Sequence, residues 1–375
     1  MRIAINTTFL SKIAWEANHP FFLNILKAVA LQQTAHEFVF LLAEDNESIF
    51  FANTQIKKAI IGPMPKNALT LKWWYDVTLA GAVQKLKADV FICSDGCCTA
   101  TKIPQVAMTM DSDFLNVKGF EKKPTIFYNK SFAQKSLHKA MLIITGTAFS
   151  KQEIKTLYKV QDEKIQVGGV VAHVSFQPIG WQERELVKDQ YTGGKEFFLY
   201  RGALGQNEDI IVLLKAFSLF KKRQLSNMQL LLAPPEADLD KGFQQKLETY
   251  KYRSDVVIQK GMPLAELSKI TAAAYAFIHP FAYGHDTLPL IECLQCGTPM
   301  IVSQRGVLPE IAADAALYAD PALPENIAEE MKTIYKDENL RSSLISNGKE
   351  RMEKFNVQNV ANQLWDCIIS SVKDK

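Results

Sequence analysis

The sequence predicts an α/β protein made of two doubly wound, parallel-sheet halves. Short apolar runs alternate with longer amphipathic runs along the whole chain, the pattern of buried strands joined by crossover helices. A polar stretch from Gln177 to Lys195, containing Pro and Gly-Gly, interrupts that alternation near the middle and reads as a linker region. The length, 375 residues, suffices for two domains of ordinary size.

Taken in order, Arg2–Asn6 reads as a first strand, and Phe21–Gln33 as a helix with Phe22, Ile25, Leu26 and Val29 on one face. Glu37–Leu42 and Ile56–Ile61 read as strands, Tyr75–Leu86 as a helix, and Val90–Cys93 and Gln105–Thr109 as strands. Helix Thr125–Lys139, strand Met141–Thr145, helix Phe149–Tyr158 and strand Lys164–Val167 complete the first half. Beyond the interruption the pattern restarts with strand Phe197–Tyr200, helix Ile210–Lys221 and strand Gln229–Ala233. Helix Leu239–Tyr250, strand Val256–Gln259 and helix Leu264–Ala273 follow. Helices at Pro324–Lys336, Glu338–Ser346 and Val357–Val372 close the chain. Alternation and linker together predict two Rossmann-like domains facing a cleft, 1–178 and 179–357.

Composition narrows the function classes. Hydrophobic and charged fractions of 47% and 22% are those of an ordinary globular protein. A net charge of +3, without a Lys/Arg cluster interleaved with aromatics, gives no basis for nucleic-acid binding. It leaves peripheral contact of a weakly basic face with an anionic membrane open. The opening MRIAINTTFL lacks the h-region and cleavage site of a signal peptide, and no apolar run is long enough to span a bilayer. Six cysteines without a disulfide framework suit a reducing cytosol, so the expected location is cytoplasmic or membrane-peripheral. Cys293 and Cys296 form a C-x-x-C with no second pair at zinc spacing, which reads as helix packing.

The richest stretch runs from Ala276 to Pro321. Strand Ala276–His279 leads through a polar loop, Phe281 to Thr287, into a short helix and a second strand, Met300–Ser303. Thr287 is the expected N-cap, Pro289 lies where no helical N–H is required, and Gly297 suits the C-cap. Helix N-terminal amides beside a strand-end loop are where α/β proteins hold anions, and Glu292 lies about one turn further in.

This stretch, AFIHPFAYGHDTLPLIECLQCGTPMIVSQRGVLPEIAADAALYADP, resembles the donor-site pattern of retaining GT-B glycosyltransferases of family 4. The resemblance covers nearly the whole chain. Lys72-Trp73-Trp74-Tyr75, Ala88-Asp89-Val90-Phe91 and Pro104 to Asp111 match its N-terminal segments. Ile144 to Lys151, Glu163 to Pro178 and Tyr200-Arg201-Gly202 through Phe217 match further ones. It implies transfer of a hexose from a nucleotide-diphosphate sugar, with retention and without an essential metal or other cofactor, to a glycan or lipid-linked acceptor in polysaccharide biosynthesis. It also implies that the last helix, 358–375 with Trp365, crosses back to the N-terminal domain, and that 179–357 is the donor domain.

Residue by residue, the resemblance assigns Glu292 to the nucleotide ribose and the helix start at Leu288 and Pro289 to phosphate, with Leu288 able to offer an N–H and Pro289 not. Gly202 holds its place after the first strand of the donor domain. Other positions depart from the family. Its first donor Glu is Gly284, its Arg is Ala203, its Lys is Glu208, its Asn is Asp209 and its His is Met110. An acidic Glu208 beside a diphosphate would repel it. Arg201 is a candidate replacement cation, although strand alternation turns its side chain from the face shared by Tyr200 and Gly202.

Asp286 is a candidate for the sugar-hydroxyl role vacated at Gly284; with its neighbour His285 it otherwise reads as solvated loop. Asp111 reads as a strand-end cap or a contact to the reaction centre, and Asp111 and Asp286 are the two catalytic candidates. Ser94-Asp95-Gly96 reads as an acceptor-side loop or simply a turn, and Trp73 and Trp74 as packing. Glu310, flanking the same turn as Arg305, reads as a helix-start acid favoured by the dipole. The substitutions keep a second reading in play: a catalytically degenerate relative that binds nucleotide or serves as a scaffold in glycan assembly. A phosphorylase or epimerase lacks the phosphate-binding Lys/Arg set it would need.

Overall fold

The computed structural model describes residues 1–9, 21–45, 56–62, 65, 68–109, 130–202, 204, 208–235, 241–280 and 287–373. Two compact units account for the chain: 1–171 with 356–375, and 172–355. Both are Rossmann-like, each with one parallel sheet and helices on its two faces.

The first unit holds β1 (Arg2–Asn6), α1 (Phe21–Gln32), β2 (Glu37–Leu42), β3 (Ile56–Ile60) and α2 (Ala68–Trp73). A π-helical turn, Trp74–Leu79, runs on into α3 (Ala80–Lys85). Strand β4 (Val90–Cys93), β5 (Gln105–Thr109), α4 (Lys130–Lys139), β6 (Leu142–Thr145), α5 (Ala148–Tyr158) and β7 (Ile165–Val167) follow. The sheet order is β3-β2-β1-β4-β5-β6-β7, all parallel.

Its strands are apolar almost throughout because both faces are covered. In β2, Phe38, Phe40 and Leu42 enter one core while Val39 and Leu41 enter the other. The first core is closed by α1 and by the last helix of the chain, α14 (Val357–Lys373), through Val360, Leu364 and Ile368. The second is closed by Trp74, Tyr75, Leu79 and Val83, with Leu137, Ile154 and Tyr158.

Gly169 shows how closely α14 is seated. Its φ is +79°, and a Cβ there would lie 2.9 Å from Val360 Cγ2. Gly169→Ala is therefore expected to destabilise the protein by about 1–3 kcal/mol, from left-handed strain plus overpacking. A urea melt indistinguishable from wild type would refute the fit described.

In the second unit the expected linker region is largely helical. Residues 181–192 of the expected linker region form α6 (Trp181–Thr192), ending at Gly193 in the left-handed conformation. Then come β8 (Phe197–Tyr200), α7 (Glu208–Gln224), β9 (Gln229–Leu232), α8 (Lys241–Glu248), β10 (Val256–Ile258) and α9 (Leu264–Ala273). Strand β11 (Ala276–His279), α10 (Leu288–Cys296), β12 (Met300–Ser303), α11 (Leu308–Ala312), β13 (Ala316–Ala319), α12 (Pro324–Lys336) and α13 (Glu338–Met352) complete it. The order is β10-β9-β8-β11-β12-β13, again all parallel. Its larger core joins Phe198 and Tyr200 of β8 to Leu213, Phe217 and Phe220 of α7 and Ile327, Met331 and Ile334 of α12. Among the described residues, no helix is long and apolar enough to cross a membrane.

Candidate functional site

In the second sheet the strand order reverses between β8 and β11, whose successors lie on opposite sides. Doubly wound sheets bind ligands at such a switch point, outside the carboxyl ends of the strands. Arg201 and Gly202 follow β8 directly, and α10 follows β11 across residues 280–287.

Helix α10 starts and stops for identifiable reasons. Pro289 fits its first turn, and Gly297 ends it at φ 70°, a conformation costly for residues with a Cβ. Thr287 stands at the N-cap as expected, but with helical dihedrals and no cap hydrogen bond from its side chain. The first turn therefore offers its amides to an anion without competition from a capping Thr287 hydroxyl.

One turn in, Glu292 is buried at 3% exposure. Its Oε2 lies 2.6 Å from Arg201 Nη2, an ion pair whose side chains are 4% and 9% exposed. Arg201 Nη1 reaches Thr271 Oγ1 of α9 at 3.4 Å, and its guanidinium lies 5.2 Å from the centre of the Phe176 ring. Strand alternation turns Arg201 away from the core occupied by Tyr200, as expected, but the opposite face is the one that carries Glu292.

Sequence reasoning passed over His279, the last residue of β11 and 1% exposed. It shares a strand face with Phe277, their ring centres 5.6 Å apart. Burial, helped by the Arg201 charge, lowers its pKa to about 3, so the imidazole is neutral at ordinary pH. The available signal was a histidine ending a fully apolar strand at the carboxyl edge of a parallel sheet.

Gly202 is half-buried beside Arg201, and Leu288 and Pro289 open α10. Asp111, His285 and Asp286 lie outside the described residues, as do Met110, Ala203 and Gly284. Glu208 is the first residue of α7. Cys293 and Cys296 are buried thiols, and burial pushes Cys296 up to about 12. Of the paired tryptophans, Trp74 is core and Trp73 is 60% exposed.

In the first unit, Ser94-Asp95-Gly96 is a turn at the corresponding reversal between β1 and β4, with Ser94 and Gly96 buried and Asp95 half-buried. Asp95 accepts hydrogen bonds from Tyr75 Oη, from Asn6 Nδ2 at 2.9 Å and from the Cys97 amide at 3.0 Å. Burial raises the pKa of both Asp95 and Tyr75.

Residues 182–351 match the family model described as glycosyl transferases group 1. The O-antigen chain mannosyltransferase B of Escherichia coli is 25% identical over 245 residues, 65% of this chain and 64% of that protein. The O-antigen chain mannosyltransferase RfbU of Salmonella typhimurium is 25% identical over 207 residues, 52% of this chain and 54% of that one. The chain thus spans less than two-thirds of the length of these relatives. Among solved structures, Anabaena HepE in complex with UDP and glucose superposes with a TM-score of 0.68 at 15% identity, over 99% of this chain and all of that one. At that identity the likeness shows a shared fold, the two-domain GT-B architecture.

Proposed function

We propose that the protein is a group 1, family 4 glycosyltransferase that moves a hexose from a nucleotide-diphosphate sugar to a glycan or lipid-linked acceptor, with retention. Mannose is the leading sugar because two relatives are O-antigen mannosyltransferases. Peripheral work at the cytoplasmic face of a membrane would suit a lipid-linked acceptor. The observation that carries the reading is the buried Glu292 one turn inside an anion-ready helix start, at the switch point of the unit that matches the family model.

In this reading Glu292 accepts the ribose hydroxyls, and amides at the start of α10, Leu288 among them, receive the diphosphate. Negative charge that builds on the leaving phosphate is met by fixed N–H dipoles. Front-face displacement assisted by that phosphate needs no protein nucleophile. Asp111 and Asp286 remain the candidates for contacts to the reacting sugar, and His285 and Gly202 candidates for contacts to the donor.

Titrating the purified chain calorimetrically with UDP, GDP and several nucleotide sugars, then assaying donor hydrolysis and transfer, tests the proposal. Glu292→Ala is expected to weaken nucleotide binding by about 1–3 kcal/mol, since it removes acceptors from a buried site. Unchanged affinity in a folded variant would refute the ribose role. Ala203 and Glu208, standing where the family carries cations, favour a second reading, a catalytically degenerate nucleotide-binding relative. Binding without turnover across a broad panel of donors and acceptors would select it.

A further inference from the structure

We propose that Arg201 is a positioning residue: it acts through Glu292, holding that carboxylate charged and aimed, and does not itself meet the diphosphate. The inference rests on the nucleotide-binding reading of Glu292 and adds to it the means by which the carboxylate is held.

Three groups from different parts of the second unit converge on the guanidinium. Glu292 of α10 pairs with Nη2 at 2.6 Å, Thr271 of α9 faces Nη1 at 3.4 Å, and the Phe176 ring lies 5.2 Å from the guanidinium carbon. Thr271 is fixed in turn, because its hydroxyl donates to Leu267 O at 2.7 Å. Thr298 Oγ1 donates to Thr271 O at 2.7 Å, tying the segment after α10 back to α9. The arginine side chain is 9% exposed, which suits a group committed inside the unit better than one presented to an incoming phosphate.

The chemistry explains why such a residue is needed. A carboxylate with 4% of its side chain exposed keeps its charge only beside a counter-charge, and only the charged form accepts strong hydrogen bonds from two ribose hydroxyls. A planar guanidinium held by Thr271 and Phe176 also fixes the carboxylate's rotamer, which a mobile ammonium does less well. The cation absent at Ala203 is therefore not simply moved two residues upstream; the arginine at 201 has a different task.

Calorimetric titration of the full chain with UDP and GDP, with the parent nucleosides, and with pyrophosphate as competitor separates the two roles. A positioning Arg201 predicts that Arg201→Met weakens nucleoside and nucleoside diphosphate by the same factor, about tenfold or more, and leaves pyrophosphate competition unchanged. Arg201→Lys should restore part of the loss, and in a Glu292→Gln background Arg201→Met should add nothing. A loss confined to the diphosphate and pyrophosphate, or losses that add in the double variant, would make Arg201 a phosphate ligand and overturn the proposal. Should Arg201→Met fail to fold, Arg201→Lys and the Arg201→Met/Glu292→Gln pair carry the same comparison. Wild-type protein that binds no nucleotide would overturn the proposed function itself. Wild-type binding with undiminished affinity in the arginine variants would overturn only the positioning role.

Discussion

Arg201→Met alone is expected to cost about 3–5 kcal/mol of stability, while Arg201→Met combined with Glu292→Met should return to within about 1–2 kcal/mol of wild type. The asymmetry follows from burial. Both partners lie inside the second unit, so removing the guanidinium leaves a carboxylate with little water to solvate it. Removing both charges replaces a desolvated pair by two apolar side chains of similar reach. Equilibrium urea unfolding of the three proteins, compared at equal m-value, reads the cycle directly. A single variant within about 0.5 kcal/mol of wild type would mean that the pair is solvated and that the described geometry is wrong. The expected rescue applies to stability alone: the double variant has no carboxylate for a ribose and should fold while binding nucleotide about 1–3 kcal/mol more weakly than wild type.

The second large effect concerns acid. His279 has a folded-state pKa of about 3 against an ordinary 6.5, lowered first by burial and then by the Arg201 charge. Between those two values the unfolded chain binds a proton that the folded chain refuses, so stability rises with pH through that window. It is fully present above about pH 6.5 and is lost as pH falls toward 3, by an amount on the order of 4 kcal/mol. His279→Leu removes the titration, so its stability should fall less steeply over the same range. Glu37 and Asp162, whose pKa values are lowered by hydrogen bonds to Lys57 and Arg2 and to Lys155 and Lys151, also weaken the fold in acid. They do so equally in both proteins and cancel in the difference. Parallel pH profiles for variant and wild type would show that the imidazole is hydrated in the native state.

Much of the sheet architecture was legible because parallel strands covered on both faces read as unbroken apolar runs. Val90–Cys93, Gln105–Thr109, Phe197–Tyr200 and Ala276–His279 fall where their hydrophobicity places them. Strand β13 was missed because Ala-Leu-Tyr-Ala has no β-branched residue and only half of it is fully buried. Helix α6 was missed because its surface is so polar: Trp181 and Leu186 are exposed, while Lys188 is buried between Glu185 and Glu196. A buried lysine and exposed apolar residues reverse the pattern by which amphipathic helices are read.

At the candidate site, local features were readable and distant ones were not. Helix α10, its Gly297 stop and Glu292 all lie within one short segment. The partnership of Glu292 with Arg201 depends on β8 and β11 becoming neighbours in the sheet, which no spacing in the sequence encodes. Thr287 stands at the N-cap position its residue type suggested, but its helical backbone leaves the hydroxyl without a cap hydrogen bond, which residue type alone does not reveal.

The seating of α14 bears on the order in which the protein assembles as it is made. The first sheet is finished on one face by Val360, Leu364 and Ile368, residues synthesised after every strand of the second sheet. The unit begun first by the ribosome is thus the one completed last, the reverse of the usual progression from the amino terminus. Until that helix emerges, Phe38 lacks the Trp365 ring beside it, and the core it shares with Val360, Leu364 and Ile368 is incomplete.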